Sequence, residues 1–136
     1  MKRLTETLKQ IVAMAPKAVS TATLTTTSFV DVSCAPEVAF SIATGALAKG
    51  KTLTVQLVAS DVEAGTGAVK VAEQVFTASD SLTAGLAVVS YKPTALNGRY
   101  VGVKFKHDAG ADVICGVTAA LRQMEHPAEN DWVLQV

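Results

Sequence analysis

Aromatic side chains are scarce in this sequence, with one Trp, two Tyr and four Phe making up 5 % of 136 residues. That scarcity disfavours a sugar or nucleic-acid platform built on stacked rings. Histidine and cysteine are as sparse, at two each. Cys34 and Cys115 match no metal-ligand or redox spacing. Each sits in an apolar, strand-like context where a free cysteine acts as a small buried hydrophobe, and a disulfide between them stays open. Charge of one sign is also missing, because twelve basic and twelve acidic residues cancel. The whole molecule therefore has no electrostatic pull toward nucleic acid or membrane. No apolar run approaches the roughly 20 residues that span a bilayer. Thr5, Glu6, Thr7, Lys9 and Gln10 break any secretory core at the start, so the chain is expected to stay where it is made, the cytoplasm, unless carried out.

What the chain has in quantity is small and β-branched apolar residues, mainly Ala, Val and Leu, within a 49 % apolar total. The length fits one domain large enough to bury a core without disulfides or metal. Leu4, Leu8, Ile11, Val12 and Ala15 share one helical face, with Pro16 as the stop, so residues 1–16 read as a short amphipathic helix or arm. Such a helix is marginal alone and needs a surface to lie on. Residues 17–136 then read as the folded domain. Ser, Thr and Val dominate from Ala18 to Ser33 and favour extended structure. Val38, Phe40 and Ile42 alternate with small residues, as do Leu53, Val55 and Leu57 with polar ones. Val69 and Val71 share a face that Val75 joins if alternation continues. A further strand covers Ala84 to Tyr91. Val101, Val103 and Phe105 oppose Tyr100, Lys104 and Lys106, and Val113, Cys115 and Val117 repeat the pattern. Six to eight short strands between Gly-, Pro- and Asn-marked turns give an antiparallel sandwich or barrel, mainly β.

The residues that could do chemistry are few. His107, Asp108 and Asp112 lie around Gly110 in HDAGAD, which reads as the solvated tip of a β-hairpin running from Arg99 to Val117. A calcium loop needs denser oxygen spacing and a closing Glu. Only His107 and His126 are available as imidazole bases, and no GxSxG element is present. Cys115 points inward, away from solvent. GTGAVK lacks the Lys-Ser/Thr of a phosphate loop, and Asp61 and Glu63 read as a solvated turn. Lys92, Arg99, Lys104 and Lys106 near Tyr91 and Tyr100 form the best basic patch; a nucleic-acid surface stays open there, and edge-strand lysines that block sheet aggregation are the commoner explanation. The chain is also bipolar, with Lys2, Arg3, Lys9 and Lys17 at its start and Asp108, Asp112, Glu125, Glu129 and Asp131 toward its end. That leaves either two solvated ends or complementary docking onto charged neighbours. The end itself is apolar, since Trp132, Val133, Leu134 and Val136 follow Pro127 and Asn130. It either packs onto its own domain or anchors a neighbouring subunit.

An amphipathic start, a Thr/Ser/Ala/Val-rich sandwich and segments such as VKVAEQVFTASD and NGRYVGVKF together resemble the head decoration (cement) proteins of tailed bacteriophages. The resemblance covers essentially the full chain and rests on composition, length and texture. It implies a single jellyroll-like β-sandwich without enzymatic activity or cofactor. It also implies a virion location: homodimers on the outside of an icosahedral shell, clamping neighbouring subunits of the major capsid protein without touching nucleic acid or membrane. No site residue is carried over from the family. From the residues themselves, the candidate subunit-interface anchors are Leu4, Leu8 and Ile11 at one end and Trp132, Val133 and Leu134 at the other. Two other classes stay open. A carbohydrate-binding sandwich would need Tyr91, Tyr100 and Trp132 grouped on one face, and a small hydrolase would need His107 or His126 in a concave site.

Overall fold

The computed structural model describes residues 3–123 and 127–136, and His126 and Glu125 lie outside the described residues. One helical turn, α1 (Leu4–Thr7), leads into nine strands: β1 (Leu8–Val19), β2 (Thr25–Thr26), β3 (Val30–Asp31), β4 (Val38–Thr44), β5 (Thr52–Ser60), β6 (Val69–Thr77), β7 (Gly85–Tyr91), β8 (Tyr100–His107) and β9 (Val113–Arg122). They form two antiparallel sheets, ordered β1-β9-β4-β7 and β2-β8-β5-β6, with β3 also on β8. If β2 and β3 count as one broken strand, each strand of the first half pairs with its mirror in the second. β1 pairs with β9, β2/β3 with β8, β4 with β7 and β5 with β6. A long hairpin rolled up in this way is a jellyroll, the sandwich architecture that the resemblance implied.

Alternation builds the core. Val38, Phe40 and Ile42 of β4 and Cys115, Val117 and Ala119 of β9 meet Leu53, Val55 and Leu57 of β5 and Val101, Val103 and Phe105 of β8, all buried. Phe40 lies beside the small Ala119 in the first sheet, and Phe105 is buried in the second, so few rings fill a sandwich about 10 Å thick. The outer faces are unlike each other. Outside the middle of the first sheet lie the uncharged Ala39, Ser41, Ala43, Val88, Gly116 and Thr118, with Arg122 at one end of β9, whereas Lys104, Lys106, Gln56 and Glu73 stand outside the second.

Several expectations are corrected here. The helix expected through Ala15 is only the turn Leu4–Thr7, and residues from Leu8 onward are strand. Paired with β9, β1 turns Ile11 and Met14 toward the core but Leu8 and Val12 outward, which splits the supposed helical face. The ladder and the burial of Ala13, Met14 and Val19 outweigh what an isolated helix this short could gain. Pro16 does not stop the element. It sits at an irregularity of an edge strand, where a missing N–H is tolerated, and packs on Gly116, whose absent Cβ would lie 3.2 Å from its ring.

The Arg99–Val117 stretch is no hairpin, because β8 and β9 belong to opposite sheets. Both strands have inward apolar faces, so the loop between them crosses the core edge instead of pairing them. Lys104 and Lys106 are accordingly on an interior strand of their sheet, not on an edge. In β6 a register shift at Val71 places Val69 opposite Ala59 and Val75 opposite Thr54, on different faces. Cys34 is exposed in a turn rather than strand-like, Cys115 is buried, and both are free.

Candidate subunit interface

Because β1 and β9 are neighbours, the two ends of the chain meet. The C-terminal segment runs back along α1 and the start of β1. The Gln123 N–H donates to Thr7 O (2.8 Å) and the Ala128 N–H to Glu6 O (2.8 Å). Asn130 is the pin. Its Oδ1 accepts the Gln10 N–H at 2.6 Å, while Nδ2 donates to Leu8 O at 3.0 Å and Thr5 O at 3.1 Å. Leu8 O and Gln10 N–H belong to the free edge of β1, so the carboxamide acts as one peptide group of an added strand. The Lys9 Nζ donates to Glu129 O and Arg3 Nη1 to Val136 O. These two cations of the start thus reach backbone carbonyls of the end, while Lys2 and Glu125 lie outside the described residues.

With the backbone pinned, the side chains of the tail are left outside. Trp132 is 96 % exposed, Leu134 86 % and Leu4 76 %. Together with Val12, Val133 and Asn130 they line an open groove of about 510 Å³. Four of the six expected anchors, Leu4, Trp132, Val133 and Leu134, thus come together in one place, although they lie at opposite ends of the sequence. The other two do not join them: Leu8 is half-buried, and Ile11 packs against the core. Val12, which sequence reasoning missed as an anchor, joins the groove because the strand turns it outward beside Thr118. Its alternation with Ile11 was the signal, hidden by the helical spacing of its neighbours.

The other candidates are structurally occupied. His107, expected in a solvated tip, is 2 % exposed. Its Nε2 lies 2.7 Å from Val19 O and donates to it, because Nδ1 accepts the Ala109 N–H at 3.2 Å. The ring thereby ties the β8–β9 crossing to the end of β1. Asp108 Oδ1 accepts the Thr52 N–H at 2.6 Å, and that bond holds its carboxyl below the usual range. Asp112 is exposed, and Gly110 supplies the turn with φ +83°. Arg99 is committed to Asp31 through a two-pronged contact (2.6–3.0 Å) and lies over the Tyr100 ring at 5.4 Å, and its guanidinium holds the Asp31 carboxyl far down. Burial raises the Cys115 thiol. Tyr91 takes a hydrogen bond from Asn97, and neither tyrosine lines the groove with Trp132. Among the described residues, no three His, Cys, Asp or Glu side chains converge.

Comparison with known proteins gives the fold and nothing finer. No protein-family description matches the chain, and no curated protein matches it. Among solved structures, the chain resembles the PBSX exported protein XepA at TM-score 0.57 and 11 % identity, over 100 % of this chain and 44 % of that one. It also resembles a chain of the IBDV viral particle at TM-score 0.50 and 10 % identity, over 88 % of this chain and 31 % of that one. The chain spans less than half the length of either. At such identities the shared feature is the β-sandwich.

Proposed function

We propose that this protein is a non-enzymatic component of a phage particle that binds the outside of the capsid and cements neighbouring major capsid subunits, acting as a pair of copies. The observation that carries this reading is the groove at the joined termini, where Leu4, Trp132 and Leu134 stand in water on a pinned backbone. Tryptophan and leucine left exposed in this way, beside a polar rim of Asn130 and Asp131, match the anatomy of a contact centre. The sandwich shared with a chain of a viral particle supports the same reading as a likeness of fold.

The mechanism is mechanical. Burying one indole removes roughly 200 Å² from water, about 5 kcal/mol of gross driving force at 25 cal/mol/Å². Association entropy consumes most of that, so a single contact is weak. Repeated over a shell and linked through bound pairs, weak contacts add up, and separating two subunits means exposing the groove. Co-sedimentation of the purified chain with empty capsids tests the reading. The Trp132→Ala/Leu134→Ala variant should keep its melting temperature and lose capsid binding, along with the heat resistance it confers. Undiminished binding by that variant, or a wild-type chain that ignores capsids and binds or cleaves a glycan, overturns it.

A further inference from the structure

A sandwich that is not a closed barrel has four edges, and each unpaired edge invites another strand. Three of the four are guarded. β1 is covered by Asn130 and interrupted by two register shifts, one at Ala13 and one at Ala15 and Pro16. β2 and β3 are two residues each. β6 carries Lys70 and Glu73 and a register shift at Val71. The fourth edge, β7, reads GLAVVSY, with no charge and no proline, and it pairs with β4 over its whole length without a shift. Among the described residues, no chain runs along its outer side.

The peptide groups on that side can be identified. The Arg122 N–H donates to Glu37 O and the Gly45 N–H to Ile114 O, so odd-numbered residues at both ends of β4 turn toward β9. The even-numbered ones face β7 and meet Tyr91, Val89, Ala87 and Gly85. By alternation, the N–H and C=O groups of Leu86, Val88 and Ser90 point away from β4 into the free edge. Leu86 and Val88 are 69 % and 53 % exposed.

We propose that β7 is the pairing strand of a two-copy unit, lying antiparallel to β7 of a second copy about a two-fold axis through Val88. This deepens, and rests on, the two-copy part of the proposed function. The register follows from the strand itself. Val88 faces Val88, Leu86 faces Ser90 and Ala87 faces Val89, so inward side chains meet inward ones and outward meet outward. The three pairs with outward peptide groups exchange two bonds each, about six in all. The residue on the axis meets its own copy, and Val88 there sets no charge against itself. β7 is uncharged, whereas β6 is not. The two four-stranded sheets become one, and their outer faces merge into a single continuous surface.

Sedimentation velocity on the purified full chain, without capsids, tests the pairing. Wild type should sediment as two copies. Val88→Pro removes only an edge-facing donor and leaves the β4 ladder intact, so it should sediment as one copy with an unchanged far-UV spectrum. Val88→Lys and Val88→Glu should each be single, and an equimolar mixture of the two should regain the two-copy boundary. A wild-type chain that is single at every concentration overturns the proposal, as do Pro and Lys variants that still pair or a Lys/Glu mixture that stays single. Capsid binding is not read in this experiment, so its failure leaves the groove at the termini to its own test.

Discussion

Asn130→Ala should release the tail without unfolding the sandwich, and the size of the effect can be worked from its three hydrogen bonds. They run at 2.6, 3.0 and 3.1 Å to Gln10, Leu8 and Thr5. A net contribution of about 1 kcal/mol per bond applies to buried pairs. The site is half-buried, so water recovers part of the loss and roughly 2 kcal/mol remains. At about 1.4 kcal/mol per tenfold, the Gln10 amide should exchange with deuterium roughly 30-fold faster, and Ala128 should follow it. Amides of β4 and β8, which the tail does not touch, should keep their rates. Asn130→Asp separates the bonds. It retains an acceptor for the Gln10 N–H but sets a carboxylate against the Leu8 and Thr5 carbonyls, so Gln10 should stay more protected than in the Ala variant while Ala128 does not. Residue-resolved exchange by NMR on the full chain measures all of this. An unchanged Gln10 rate in Asn130→Ala would refute the view that a side chain is standing in for a strand.

Three further outcomes follow from other polar groups of the fold. Thr44 Oγ1 is buried without a hydrogen-bond partner among the described residues, so Thr44→Val should stabilise by about 1 kcal/mol, read as a higher midpoint in urea. His107→Ala leaves Val19 O without its donor and opens a core cavity; a loss of about 3 kcal/mol and a drop in Tm on the order of 10 °C are expected from calorimetry. The carboxyls of Asp31 and Asp108 are both held down, by Arg99 and by the Thr52 N–H respectively. Their folded state binds fewer protons than the unfolded one, so their stabilisation is complete above about pH 4 and is lost as pH falls through the depressed values. Melting curves from pH 6 to pH 2 should show that acid limb, and Asp31→Asn/Asp108→Asn should flatten it; a slope unchanged in the double variant would contradict the assignment.

Most of the strand content was legible because alternation is a local signal. Val38 to Ile42, Leu53 to Leu57 and Val101 to Phe105 each have their inward face written in period two. The partner of each strand was not written there. Nothing local says that β8 and β9 separate into different sheets, since a five-residue link between apolar strands fits a hairpin equally well. His107 looked solvated for the same reason: its neighbours Asp108 and Gly110 belong to the turn, while its hydrogen-bond partner Val19 is distant in sequence. Leu8, Ile11 and Val12 mimicked a helix because spacings of three and four also occur in a strand that irregularities interrupt. The interface anchors were half legible. Exposed Trp132 and Leu134 stood out by composition, but their meeting with Leu4 and Val12 depends on β1 lying beside β9.

That neighbourhood also sets an order of events in time. Among the described residues β1 is an edge strand whose one strand partner is β9, the last of the nine strands to leave the ribosome. Until Val113–Arg122 emerges, Ile11, Met14 and Val19 have no sheet to join, and the first strand waits with its apolar side in water. β5 and β6, adjacent in sequence, can pair long before that, so the sandwich closes from its middle outward and its first-made strand is among the last to be secured. Closure of such distant pairs is slow. A strand that waits with its apolar side in water is exposed to aggregation while the chain is made.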